Sequence, residues 1–177
     1  MSRLLDVARS VLAEPDPEVI YERIIGAARE LTGARYAALG VLNEQRTQLE
    51  RLHVAGIDEA TRRSIGDLPR GRGVLGLLIS DPRPLRINDL SRHPARYGFP
   101  PGHPVMHNFL GVPVLIDGEV CGSFYLAEKD GEFNDLDEEV ALIIADWAAV
   151  RMSLARSQPP AARRWGDREP ANVEREQ

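Results

Sequence analysis

The stretch Gly102-His103-Pro104-Val105-Met106-His107-Asn108-Phe109-Leu110-Gly111-Val112-Pro113-Val114, followed by a second run from Glu119 to Lys129, decides how this chain folds. A His-Pro step feeds an apolar run of strand length, and the turn Ile116-Asp117-Gly118-Glu119 sends the chain back. The pattern predicts a hairpin of strands Phe109–Leu115 and Val120–Leu126. Strict alternation along the second strand puts Cys121, Ser123 and Tyr125 on one face, and Gly122, Phe124 and Leu126 on the other.

Downstream of the hairpin, Asn134 caps a final helix, with Asp137 at its third helical position. Leu136, Val140, Ile143, Trp147, Val150 and Leu154 recur at alternating steps of four and three. That is a heptad seam, suited to packing on the sheet or to pairing with another subunit. Residues 158–177 are charged and proline-containing and are expected to be disordered, which sets the domain at residues 1–157.

Upstream lies an irregular region, residues 88–101, with Pro94, Gly98, Pro100 and Pro101 and the aromatics Tyr97 and Phe99 between them. Long loops in compact domains often line sites; these two rings either wall a pocket or pin the loop to the core. Leu85–Ile87 reads as a short strand and Val74–Ile79 as a helix packed on the sheet. The segment from Gly66 to Gly76 holds Gly66, Gly71, Gly73 and Gly76. It lacks the Lys-Ser/Thr pair that a phosphate loop places after its glycines. Residues 35–42 are mostly apolar and suit a central strand buried on both faces. A polar turn at 43–46 leads to a partner strand over 48–55, and Asp58 can cap a short helix reaching Ile65. At the start, residues 3–13 form an amphipathic helix. A second helix starts at Asp16-Pro17-Glu18, carries the stripe Ile20, Ile24, Ala27 and Leu31, and ends at Gly33.

With 177 residues, 43% of them hydrophobic, the chain can bury one core. A net charge of −5 without a Lys/Arg cluster argues against nucleic-acid binding. A single cysteine, Cys121, excludes an internal disulfide framework and a multi-cysteine zinc site. The N-terminus lacks an apolar signal core, and no apolar run reaches the roughly 18 residues of a membrane span. The expectation is a cytoplasmic protein that does not associate with membranes.

The order of elements resembles a GAF domain: an α+β fold in which a central antiparallel sheet has N- and C-terminal helices packed on one face and ligand loops on the other. Gly73-Val74-Leu75-Gly76, Phe109-Leu110-Gly111-Val112-Pro113-Val114, Gly122-Ser123-Phe124-Tyr125-Leu126 and Phe133-Asn134-Asp135-Leu136-Asp137 carry the likeness, which spans about residues 3–157. From Leu68 to Lys129 the chain is further similar to the first GAF domain of actinobacterial haem-binding sensor histidine kinases, which respond to a diatomic gas or to redox state. That likeness implies haem b with His103, in His-Pro-x-Met, as iron ligand. It implies Tyr125 on the distal side, 125 − 103 = 22 residues later. Met106, Tyr97 and Phe99 would supply apolar wall. This chain reads His-Pro-Val-Met where the more familiar motif is His-Pro-Pro-Met, and it adds His107 nearby.

Imidazole is a good axial ligand for haem iron, and Pro104 stiffens the backbone after it. The residues themselves leave alternatives open. His103 also suits a loop histidine bonded to backbone, and Tyr125 a strand tyrosine with its hydroxyl at the pocket edge. Lys129, Phe133, Asp137 and Glu138 partly match a nucleotide-binding GAF pattern in which Glu128 stands for asparagine; Lys129 and Asp137 would equally tie strand to helix. Cys121 invites comparison with methionine-sulfoxide-reducing GAF proteins but suits a small buried side chain. The combined expectation is a sensor without catalytic activity of its own. It would bind a diatomic ligand or another small molecule, form a homodimer through its terminal helices and act on a separate kinase or regulator. A haem-free ligand-binding or dimerisation module is the alternative.

Overall fold

The computed structural model describes residues 2–65, 74–94 and 101–157. Five strands form one antiparallel sheet in the order β2-β1-β5-β4-β3: β1 Ala34–Leu42, β2 Leu49–Ala55, β3 Leu85–Ile87, β4 Phe109–Ile116 and β5 Glu119–Lys129. Around it run α1 Ser2–Ala13, α2 Pro17–Thr32, α3 Glu59–Ile65, α4 Val74–Ser80 and α5 Asp135–Ser157. Helices α2 and α5 pack together on one face with α1 against α2, while α4 lies against β4 and β5 on the other. The expected α+β architecture with a central antiparallel sheet is the one observed, and the sheet is open. Tyr97, Phe99, the Arg70–Gly73 stretch and the charged segment 158–177 lie outside the described residues.

Local chemistry explains the elements. Asp16 caps α2 by accepting the Glu18 amide at 2.9 Å, and Gly33 closes the helix at φ 72°. The hairpin turns through Asp117 and Gly118, both at positive φ, which matches the twist of the strands it joins. Strand β1 is buried on nearly every residue of both faces, as its apolar run predicts.

The main core lies between sheet and helices. Ile20, Ile24 and Ala28 of α2 and Ala141, Ile144, Ala145 and Ala148 of α5 meet Leu39, Leu110, Val112, Phe124 and Leu126. Alanines dominate the buried side of α5, so the helix sits close on the sheet. The heptad seam is therefore not the sheet-facing stripe. Only Val140 of the seam is fully buried, Ile143 and Trp147 are half-buried, and Leu136, Val150 and Leu154 are exposed. On α2 the stripe turns slightly from the predicted one: Ala28 is buried, whereas Ala27 and Leu31 are half-buried.

A second correction concerns β5. The β4–β5 register pairs Val114 with Gly122 but Leu115 with Val120, so Cys121 is an extra residue in a β-bulge. The bulge breaks the alternation and sends Cys121 into the helix-side core, away from the face of Ser123 and Tyr125. Its Sγ lies 3.2 Å from the Val114 carbonyl and 3.9 Å from Met152 Sδ.

Candidate functional site

The face opposite α2 and α5 carries a second apolar cluster. Leu78 of α4, Ile87 of β3, Leu90 and Phe109 form its buried part, with Val74, Leu75, Leu85, Met106 and Tyr125 packed around them. The Tyr125 and Phe109 rings stack at 5.9 Å between centroids. Leu78 and Phe109 cover the sheet where β4 presents Gly111: a Cβ there would fall 2.7 Å from both. Burial pushes the Tyr125 phenol well above its ordinary range, so it stays a neutral hydroxyl capable of donating a hydrogen bond. Of the predicted site residues, the structure thus brings Met106 and Tyr125 to one cluster.

His103 is half-buried in the extended segment leading to β4. Its Nδ1 lies 2.7 Å from the Pro104 carbonyl. A carbonyl only accepts, so Nδ1 donates this bond. A backbone bond of this kind fixes tautomer and ring orientation in metal-ligating histidines, and also in histidines that merely secure a loop. Among the described residues no three His, Cys, Asp or Glu side chains cluster as a metal site.

The segment carrying His103 is tied to β5 by residues the sequence did not single out for that role. The His107 amide donates to Glu128 Oε2 at 2.8 Å, its Nδ1 lies 3.0 Å from Glu128 Oε1, and its carbonyl accepts the Leu90 amide at 2.7 Å. The buried Asn108 side chain donates to the Lys129 and Gly131 carbonyls and accepts the Lys129 amide at 2.9 Å. Burial raises the Glu128 carboxyl, and the His107 amide and ring more than offset this, leaving it below the usual range. The one available signal was weak: an Asn and a Glu flanking the two strands of a hairpin, 21 residues apart from their partners.

Lys129 and Asp137 take the structural role: Nζ lies 2.5 Å from Asp137 Oδ2, joining the end of β5 to the start of α5. Lys129 also stands 5.8 Å over the Phe133 ring. Cys121 is 1% exposed and packs as a small core side chain, as its sequence context suggested.

These features make up a five-stranded antiparallel sheet with α2 and α5 on one face and an apolar cluster, packed under α4, on the other. The sequence matches the GAF domain family over residues 14–153, and the chain belongs to that family. It is similar in structure to the GAF domain of a phosphoenolpyruvate-protein phosphotransferase from Coxiella burnetii, at 24% identity, covering 88% of this chain and 93% of that one with a TM-score of 0.76. The corresponding domain from Acinetobacter gives 16% identity, coverages of 91% and 96%, and 0.77. The free methionine-R-sulfoxide reductase of Neisseria meningitidis gives 18%, 86% and 87%, and 0.71. At these identities the likeness is one of fold. GAF domains are in general sensory or regulatory modules that bind small ligands. Among the described residues no helix is long and apolar enough to cross a membrane.

Proposed function

We propose that this protein is a haem-based sensor of a diatomic gas or of redox state, with the Tyr125 face as its ligand side. The observation that carries the proposal is the pairing of an apolar cluster containing the half-buried Tyr125 with a neighbouring segment whose histidine donates its Nδ1 proton to backbone. The residue types suit haem: an imidazole, an apolar wall and a phenol donor. His103 would hold the iron, Met106 would contribute wall, and Tyr125 would donate a hydrogen bond to a bound ligand. When bound, haem supplies the open iron position at which a gas or a redox change is felt. The chain's own residues exclude water from that side and set the orientation of the imidazole.

The test is the visible spectrum of the protein expressed with haem supply. A Soret band that is lost in His103→Ala supports the proposal; a colourless protein overturns it. One observation favours the haem-free alternative. Leu78 is fully buried and Phe109 is 3% exposed, so side chains already fill the floor of this face. In that case the same face takes a smaller apolar ligand. In either case we propose that occupancy is passed through α2 and α5 to a second copy of the chain, and from there to a separate kinase or regulator. Such a relay requires ligand contacts that differ between two states.

A further inference from the structure

Glu128 combines two features that are not needed by the sheet. Its backbone sits at φ 61°, in the left-handed region that residues other than Gly, Asn and Asp seldom occupy. Its carboxylate reaches across to His107 through both oxygens, meeting the amide at 2.8 Å and the ring nitrogen at 3.0 Å. A glycine would relax that backbone, yet only a side chain of this length and charge makes the bridge. Strain held at one residue is expected where surrounding contacts over-determine it. Here those contacts converge on His107, whose carbonyl is held by the Leu90 amide at 2.7 Å. His107 thus sits between the end of β5 on one side and Leu90 of the second apolar cluster on the other. Immediately before it, Met106 packs into that same cluster, three residues beyond His103.

We infer that Glu128 is a latch: a positioning residue that holds His107, and through it the His103–Met106 segment, against the Tyr125 face. This rests on reading that face as the ligand side. The strained backbone aims the carboxylate out of the strand, and the bidentate contact fixes a segment that otherwise has no strand pairing. Loosening the latch leaves the sheet intact and releases the wall of the site.

Hydrogen exchange on the 177-residue chain reads this directly, because the His107 amide is itself a latch donor. Glu128→Gly removes the carboxylate while easing the backbone. The latch predicts exchange at His107 faster by roughly tenfold or more, with β1 protection unchanged. It also predicts a melting temperature no lower than that of the wild type. Glu128→Gln, which keeps an acceptor of the same reach, retains most of the protection. Unchanged His107 exchange in Glu128→Gly overturns the latch, as does a loss of protection spread evenly over β1 and β5 in both variants. The haem spectrum is scored separately. A colourless wild type overturns the haem proposal and leaves the exchange result standing, whereas unchanged exchange overturns the latch whatever the spectrum shows.

Discussion

Lys129 Nζ lies 2.5 Å from Asp137 Oδ2, and the same carboxylate oxygen accepts the Asn134 amide at 2.9 Å. Asn134 Oδ1 in turn accepts the Asp137 amide at 3.1 Å, so one buried carboxylate serves a reciprocal helix cap and an ion pair together. The Asp137 side chain is only 6% exposed, and removing its cation leaves it charged and poorly solvated. Lys129→Met should therefore cost about 3 kcal/mol, the lower end for a broken buried pair, because the Lys129 end still meets water. Urea unfolding monitored by circular dichroism measures it. A loss below about 1 kcal/mol would place this pair with ordinary surface ion pairs.

His53 gives the fold a pH dependence with a definite sign. Burial lowers its pKa below the ordinary histidine value, partly countered by Glu18, whose carboxylate lies 3.5 Å from Nδ1. Its Nε2 is buried without a hydrogen-bond partner among the described residues, and its ring lies 4.9 Å from that of Tyr21. Among the described residues, Glu18, Tyr21 and Glu22 of α2, Glu50 and Arg51 of β2 and Arg62 of α3 are charged or titratable groups around it. A depressed folded-state pKa means that the unfolded chain binds the proton more readily. This contribution to stability is present above the unfolded value of about 6.5 and is lost as the pH falls from there through the folded pKa. Unfolding free energy should decline across that window in the wild type and decline less in His53→Phe, which keeps a ring against Tyr21. Parallel profiles for the two proteins would assign the dependence elsewhere.

The bulge at Cys121 makes a packing prediction next door. A Cβ on Gly122 would stand 2.4 Å from the Gly40 carbonyl oxygen of β1, a backbone atom that cannot swing aside. Gly118, by contrast, has φ 80° in the hairpin turn and nothing within 4 Å of an added Cβ. Gly122→Ala should cost about 2–4 kcal/mol by forcing two central strands apart, and Gly118→Ala about 1–2 kcal/mol from backbone conformation alone. Denaturation midpoints of the two variants decide the order, and a Gly122→Ala protein no less stable than Gly118→Ala would contradict it.

How legible all this was differs by element. The hairpin, both helix caps and the doubly buried β1 follow from local chemistry: turn residues, an Asx cap and an apolar run each act within a few residues. The bulge was invisible because alternation is the only rule that a lone strand offers. An extra residue shows itself only against its partner, in the change from Val114↔Gly122 to Leu115↔Val120. On α5 two apolar stripes coexist, and the larger side chains drew attention to the seam. The sheet instead selected the alanines, because small residues let a helix approach closely. Tyr125 and Met106, both singled out by their motifs, meet in one apolar cluster. Glu128 and Asn108 were not singled out for their role, because their value lies in contacts 21 residues away that no spacing rule describes.

The seam left over by that choice is itself testable. Leu136, Val150 and Leu154 are 67%, 60% and 51% exposed, and with half-buried Ile143 and Trp147 they line one side of α5 at coiled-coil spacing. Val140 of the seam joins the core and Trp147 packs against it, but Leu136, Val150 and Leu154 stay exposed in the monomer, and a second copy of the same helix would cover them. Val150→Glu with Leu154→Glu should then convert a dimer into a monomer in sedimentation analysis. The melting temperature of the dissociated domain should move little, since exposed positions away from the core usually change stability by no more than about 0.5 kcal/mol. A wild type that sediments as a monomer at tens of micromolar, an order of concentration at which stable dimers persist, would remove the seam from the signalling route and leave α5 as a cover for the sheet.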